Sequence, residues 1–545
     1  MADETAWDVE TDVVVLGSGG AALVAAITAH DFGAEALILE KSGMVGGTTA
    51  MSGGMLWIPG NHHQLEAGDT DSWDDVVTYL DAMAPGTIDA DALAGFLEGG
   101  PEMVQFLADH TPVRLHQYPH FPDYQSYAPG AKEHGSRSLD NDVFPFEQLG
   151  PWATRVNPPK MGAPPRVSMV EAMYCQMDPQ VLAERERTDS RGSGQALVGA
   201  LLKGILDREI PIHFEKRARK LCKEGSRITG VIAEQEDGRS FRVKARKGVV
   251  IATGGFEWNP DLVATFIRGP LTGPVSVPEN EGDGLLMAME VGARLGNMST
   301  AWWMPSVLET KAQHRNAKPN YLLAAGTERV RPGGILVNRS GKRFVNEAIN
   351  YNALGRSLHN FDPATHDYPN LPYWLIFDHR YRETYPVFTA RPGQDLPPFV
   401  MQAETLRGLA ELIGVDGATL EATVERFNGF ARKGHDDDFG RGDQTYEVFW
   451  GDRSHSGTAR TLGELNRPPF YAVRMEAGAL GTSGGPKTNG RGQVLDWNND
   501  PIEGLYAAGN VMSAVTSIVY GGAGGTLGPA LTFGFLAGRH AAAGL

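Results

Sequence analysis

Hydrophobic positions along the chain gather into a few dense runs, separated by long stretches with no clean period. Asp12–Leu16 is a short β-branched run that stops at a glycine, the pattern of a strand buried in a parallel sheet. Gly19–Phe32 follows with small and aliphatic residues, which suits a helix packed tightly on that sheet. Gly33 ends it, and Ala36–Glu40 reads as the next strand, so the three form a βαβ unit. A polar, mostly helical stretch then runs to about Leu107. Gln195–Leu206 reads as a helix, and Val243–Ala252 as a strand ending in Thr253-Gly254-Gly255. Gly282-Asp283-Gly284 opens a further helix that runs to Gly292.

Two stretches break this texture. Pro119–Arg191 is rich in Pro, Tyr, Met and Gly, is weakly periodic, and is long for a loop, so it reads as a functional segment or a partly ordered cover of the active site. From Ala301 to about Gly478, aromatics, prolines and charges replace the βαβ signature. The glycine-rich texture resumes at Leu480, with a strand at Gly504–Ala507 and a helix after Gly528. The expected fold class is α/β: a Rossmann-like nucleotide domain over 1–300 and 480–545, discontinuous in sequence, with an inserted α+β substrate or catalytic domain at 301–479.

Composition narrows the class. Hydrophobic residues make up 41% and charged residues 21%, enough to bury cores over 545 residues. The net charge of −17 repels phosphate backbones and anionic lipid, which argues against nucleic acid as a partner. Cys175 and Cys222 match no metal spacing and make no disulfide framework; a reducing cytoplasm is the expected compartment. Met1–Asp12 is acidic, unlike a signal peptide, and the uncharged Val13–Ala29 carries Gly17, Gly19 and Gly20 in its middle, unlike a membrane span. His62, His63, His116 and His120 match no metal spacing, so no metal is expected.

Gly17-Ser18-Gly19-Gly20-Ala21-Ala22 has the G-x-G-x-x-A spacing of the dinucleotide fingerprint and sits between a strand and a helix. Gly17 permits the tight turn, Gly19 lets the backbone approach a pyrophosphate, and the helix N-terminus offers free N–H groups to it. Glu40, at the end of the second strand, is placed to accept ribose hydroxyls. Lys41 leads into Gly46-Gly47-Thr48-Thr49 and then Ser52-Gly53-Gly54. A second glycine-rich segment so soon after the ribose acid suits a longer cofactor, FAD rather than NAD.

Together these segments resemble the succinate dehydrogenase/fumarate reductase flavoprotein superfamily, through Val13–Ala22, Leu39–Gly54, Ala252–Gly255, Gly282-Asp283-Gly284 and Leu505–Asn510. The resemblance covers essentially the whole chain. It adds Ala252, Thr253, Gly254, Asp283, Gly509, Asn510, Thr526 and Leu527 to the fingerprint residues, Ala21 included, as FAD contacts. Members with covalent flavin carry a histidine near Thr49-Ala50; here the segment is Gly47-Thr48-Thr49-Ala50, so the FAD is expected to be non-covalent. Fumarate reductases carry His and Arg in the C-terminal glycine-rich segment, whereas Val519–Pro529 has neither.

That segment, with its Tyr520 and Gly524, resembles the 3-ketosteroid Δ1-dehydrogenases instead, as do Phe121-Pro122-Asp123-Tyr124 and Phe344–Tyr351. The resemblance implies desaturation of ring A of a 3-ketosteroid. Tyr520 O–H and the Gly524 N–H would polarise the ketone. Tyr351 would take the α-proton. A phenol is a poor base at neutral pH, so it must be tuned downward or work through a bonded partner, for which Tyr124 is the candidate and Tyr118 the fallback. Asn346 and Glu347 read as local hydrogen-bonders. The related Δ4-(5α)-dehydrogenases tend to place a serine where Gly522 stands, which favours 1,2-desaturation.

A steroid needs an apolar cleft. Trp302, Trp303, Met304 and Pro305 are candidates for its wall, and Trp152, Met161, Met169, Met173 and Tyr174 for its cover or for a membrane contact. No NAD, iron–sulfur or haem motif is visible, so an external acceptor such as a quinone is expected to reoxidise the flavin. The alternatives are a Δ4-(5α)-dehydrogenase, a fumarate-reductase-like flavin enoate reductase, and a non-catalytic flavin binder.

Overall fold

The computed structural model describes residues 6–135, 137–160, 163–314, 316–324 and 327–544. Its largest sheet runs in the order Gln493–Leu495, Pro501–Ala507, Ser240–Ile251, Val9–Leu16, Ala36–Leu39, Ile212–His213. Every pairing from Pro501–Ala507 to Ile212–His213 is parallel. Val13–Leu16 is fully buried in the centre of this sheet, as the unbroken apolar run predicts. The C-terminal strand pairs with one laid down far earlier, Val249 opposite Leu505, so one sheet is built from both ends of the chain.

The helix Gly20–Asp31 packs against Leu527–Ala543 at very close range. A Cβ on Gly534 would stand 2.4 Å from the Ala21 carbonyl, and one on Gly538 2.4 Å from that of Ala25. Glycine on one helix and alanine on the other therefore set the approach.

The sequence pattern missed a β-meander. Arg227–Gln235 pairs antiparallel with Ser240–Ile251, and Lys216–Glu224 pairs antiparallel with Arg227–Gln235. Register shifts at Ile228/Gly230 and Ile232/Ala233 break the period of two that would have announced these strands.

A second, four-stranded antiparallel sheet has the order Gly334–Asn338, Tyr373–Asp378, Phe470–Met475, Val400–Ala403. Alternate residues separate cleanly. Ile335, Val337, Trp374, Ile376 and Ala472 join Leu409, Leu420, Val424 and Phe427 of the helices Leu406–Ile413 and Gly417–Lys433. Leu336, Leu375, Phe377, Tyr471 and Val473 face the opposite core. A small sheet of Gly273–Pro274, Gly478–Thr482 and Ala301–Trp303 holds together the chain entering and leaving this region. Among the described residues no helix is long and apolar enough to cross a membrane.

Candidate active site

One cleft runs from the fingerprint turn to the aromatic cluster beside the second sheet. Gly17 turns at φ +98°, and a Cβ there would lie 2.6 Å from the Ala252 carbonyl. Only glycine fits that turn. The helix begins at Gly20 with no side-chain cap, which leaves first-turn N–H groups facing the cleft, while the Gly20 N–H donates to Thr49 Oγ1 at 3.0 Å. A Cβ on Gly53 would meet nothing within 4 Å.

Glu40 is buried. It accepts Ser18 Oγ at 2.6 Å and the Ser42 N–H at 2.8 Å, and burial nevertheless pushes its carboxyl upward. Lys41 and Arg217 both bind Asp283, at 2.8 and 2.6 Å, and Lys318 and Lys41 hold the neighbouring Glu281 down to about 2 despite its burial.

The other expected cofactor residues also line this cleft: Gly19, Ala21, Gly47, Thr48, Thr49 and Gly54, Ala252, Thr253 and Gly254, Gly509 and Asn510, Thr526 and Leu527. Gly46 does not. It turns at φ +105° behind the wall, where a Cβ would strike Val198 at 2.8 Å. Lys216 and Ala218 line the cleft from the meander, and Val277 and Asn280 from the loop ahead of the helix Asp283–Glu290; no local motif marks them. The glycine turn, the uncapped helix end and the buried Glu40 carboxyl fit a dinucleotide.

At the far end stand three phenols. The rings of Tyr124, Tyr351 and Tyr520 lie 5.3 Å from one another, Tyr124 and Tyr520 stacked and Tyr351 edge-on to both. The hydroxyls of Tyr124 and Tyr351 are 2.9 Å apart. Asn350 ties the two chain segments together. Its Oδ1 caps the helix Tyr351–Ser357 through the Ala353 N–H, and its Nδ2 donates to the Tyr124 carbonyl at 3.3 Å. Buried Arg329 braces the approach to Tyr351 by donating to the carbonyls of Glu347 and Ile349. Glu347 itself is committed to Arg343 and Arg441, and Asn346 donates to Glu447.

Burial pushes all three phenols upward, Tyr124 and Tyr351 well above the ordinary range. Downward tuning, one of the two routes the sequence left open, is thus not what the fold provides, because desolvation outweighs every favourable neighbour. The bonded partner remains. Tyr446 and Tyr520 add to the rise at Tyr124, which the Tyr351 hydroxyl and the Arg329 charge oppose, whereas every neighbour of Tyr351 raises it further. Gly524 turns at φ +90° against Met55 and Leu56, and its N–H has no protein acceptor among the described bonds.

Tyr118, the fallback, is buried to one side and donates to the Met169 carbonyl at 3.4 Å. Trp302 meets Tyr520 at 5.4 Å and Met304 lines the cleft, but Trp303 packs with Phe256 and Ile267 instead, because successive strand residues point to opposite faces. Of the expected cover, Met169 lines the cleft, Met173 packs beside it, Tyr174 is largely exposed and Trp152 packs against the nucleotide-side core. Met161 lies outside the described residues. Tyr446, 5.0 Å from Tyr124, and Trp450 complete the aromatic wall. Two aromatics at i and i+4 on a helix of six residues set up no period, so the sequence did not mark them.

A family model described as FAD binding domain matches residues 12–527. This chain belongs to that family. Among its relatives, the 4-oxocyclohexanecarboxylate 2-dehydrogenase of Sinomonas cyclohexanicum is 39% identical over 97% of this chain and 92% of its own length. The 3-oxosteroid 1-dehydrogenase of Mycolicibacterium smegmatis is 36% identical over 98% and 97%. The crystal structure of the 3-ketosteroid Δ1-dehydrogenase of Sterolibacterium denitrificans in complex with 1,4-androstadiene-3,17-dione superposes with a TM-score of 0.90. It is 34% identical, covering 98% of this chain and 99% of that one. The protein is an FAD-dependent oxidoreductase.

In this flavoprotein the charged residues lining the cleft, Glu40, Lys41, Lys216, Glu279 and Asp283, come from the nucleotide-side segments. The phenol end is lined by Met55, Phe121, Met169, Val275, Met304, Leu323, Trp450 and Leu480, none of them charged.

Proposed function

We propose that the protein desaturates a cyclic ketone between its α- and β-carbons, and that the ketone is the ring A carbonyl of a 3-ketosteroid. The observation that carries this reading is the hydroxyl pair Tyr124–Tyr351, 2.9 Å apart in an uncharged aromatic cleft beside Tyr520 and the free N–H of Gly524. Tyr520 and Gly524 polarise the ketone and hold the enolate oxygen. Tyr351 receives the α-proton as its own hydroxyl proton passes to ionised Tyr124, so the charge gained on the substrate equals the charge lost from the pair. The glycine turn and Glu40 would hold FAD non-covalently, and the bound flavin would supply the acceptor for the β-hydride. An external acceptor, a quinone in this reading, then takes the two electrons. The uncharged wall excludes bulk water and matches the flat apolar body of a steroid.

A second reading is a small keto acid, favoured by the 39% identity to the 4-oxocyclohexanecarboxylate 2-dehydrogenase. Among the described residues no charged side chain lines the cleft at the phenol end to meet its carboxylate, which favours the steroid. Steady-state turnover of 3-ketosteroids and of 4-oxocyclohexanecarboxylate, with product analysis by mass spectrometry, separates the two. Preference for the keto acid overturns the steroid assignment and leaves the ring-ketone chemistry in place.

A further inference from the structure

Between the two halves of the ketone-polarising pair, Tyr520 and Gly524, the chain makes a glycine turn whose floor is one indole. A Cβ on Gly521 would lie 2.8 Å from Trp57 Cζ2, and one on Gly522 2.5 Å from Trp57 Cδ1. The turn therefore rests directly on the fully buried Trp57 ring. The Trp57 backbone N–H also donates to the Gly524 carbonyl at 3.2 Å.

The same indole reaches the proton-transfer pair. Trp57 Nε1 donates to Asp123 Oδ1 at 2.8 Å, and Asp123 directly precedes Tyr124. Asp123 Oδ2 accepts Arg137 Nη1 at 2.6 Å and the Lys132 N–H at 2.9 Å. Arg137 is locked from its other side by Asp71, at 2.7 and 2.8 Å. The Gly521 carbonyl closes the circuit by accepting the Tyr124 N–H at 3.0 Å and the Tyr79 hydroxyl at 2.6 Å. Trp57, Asp123 and Arg137 are all buried, and none of the three reaches the ketone-polarising or proton-transfer hydroxyls.

We propose that Trp57, Asp123 and Arg137 form a positioning unit that sets the distance between the ketone-polarising turn and the Tyr124–Tyr351 pair. Its function follows from geometry. Enolisation needs the carbonyl donors and the α-proton acceptor placed together on one ketone, and these groups come from three distant chain segments. A single indole that supports one segment and hydrogen-bonds the next fixes their separation. This inference rests on the proposed ring-ketone chemistry.

Trp57→Phe keeps a ring in the floor of the turn but removes the Nε1–H donor and part of the indole that supports Gly521 and Gly522. Asp123→Asn keeps the shape and removes the charge facing Arg137. Both are assayed as flavin-normalised holoenzyme with the ring ketone that the parent turns over. The expected result is a kcat about 10- to 100-fold lower, as for a small misplacement of reacting groups, with KM nearly unchanged. The deuterium isotope effect at the α-carbon rises, while that at the β-carbon does not. A general loss of folding would lower the yield of holoenzyme and leave its isotope effects alone. Parent-like kcat and α-carbon isotope effect in both variants overturn the inference and spare the ring-ketone reading. A parent whose flavin no ring ketone reduces overturns the reading, and the inference with it.

Discussion

Three phenols share one buried wall, and desolvation raises every one of them. The reactive form needs a negative charge on the pair, so the rate of flavin reduction is expected to climb with pH without a plateau below about pH 10, the ordinary phenol value. Tyr124→Phe removes the group that holds the charge and is expected to slow reduction by about 100-fold or more at neutral pH, the range of a lost general base. Arg329→Met removes a positive charge that favours the ionised form and moves the alkaline limb to still higher pH. Stopped-flow reduction across pH checks all three; a flat profile for the parent between pH 7 and 10 contradicts the phenolate account. Gly522 makes a separate point. A serine there would press its Cβ to 2.5 Å from Trp57 Cδ1, so Gly522→Ser is expected to lose about 1–3 kcal/mol by overpacking and to gain no 4,5-desaturation. Thermal melting with product analysis tests this, and a stable variant making the 4-ene contradicts it.

The short helix Thr445–Trp450 carries Tyr446 and Trp450 into the aromatic wall, and Glu447 anchors it by accepting the Gly442 N–H at 2.6 Å and Asn346 Nδ2 at 2.8 Å. Burial raises this carboxyl to about 7. A carboxyl raised on folding stabilises the fold while protonated, and that contribution is lost as pH rises through about 7. Melting of the holoenzyme is therefore expected to weaken between about pH 4.5 and 7 and to level off above, and Glu447→Gln to flatten that slope; an unchanged slope in the variant contradicts it. Such a helix was illegible in the sequence because its six residues are too few to show a period. The fingerprint turn was legible because it is local: Gly17 is demanded by its own neighbours, Ala252 above all. The hydroxyl pair lies between. Motif resemblance named Tyr124 and Tyr351, but only the fold brings residues 227 positions apart to 2.9 Å. Lys216 and Ala218 gave no signal, since their strand alternates imperfectly and is half exposed.

The parallel sheet draws strands from both ends of the chain, and the proposed cofactor contacts follow the same pattern, from Gly17 through Asp283 to Leu527. FAD binding is therefore expected to tie these distant segments together, raising the melting temperature in proportion to the logarithm of free FAD above its Kd. The second sheet is antiparallel and alternates, while the first is parallel from Pro501–Ala507 to Ile212–His213. Both assemblies meet at the phenols, where Tyr351 comes from the second-sheet region and Tyr124 and Tyr520 from segments before and after it. Anaerobic mixing of the holoenzyme with 4-androstene-3,17-dione, followed by flavin absorbance, tests that convergence most directly. The account predicts rapid bleaching with a 1,4-diene-3-one product, lost in Tyr351→Phe and Tyr520→Phe while flavin content is retained. Flavin that stays oxidised with this steroid, or bleaching that survives in Tyr351→Phe, would contradict it.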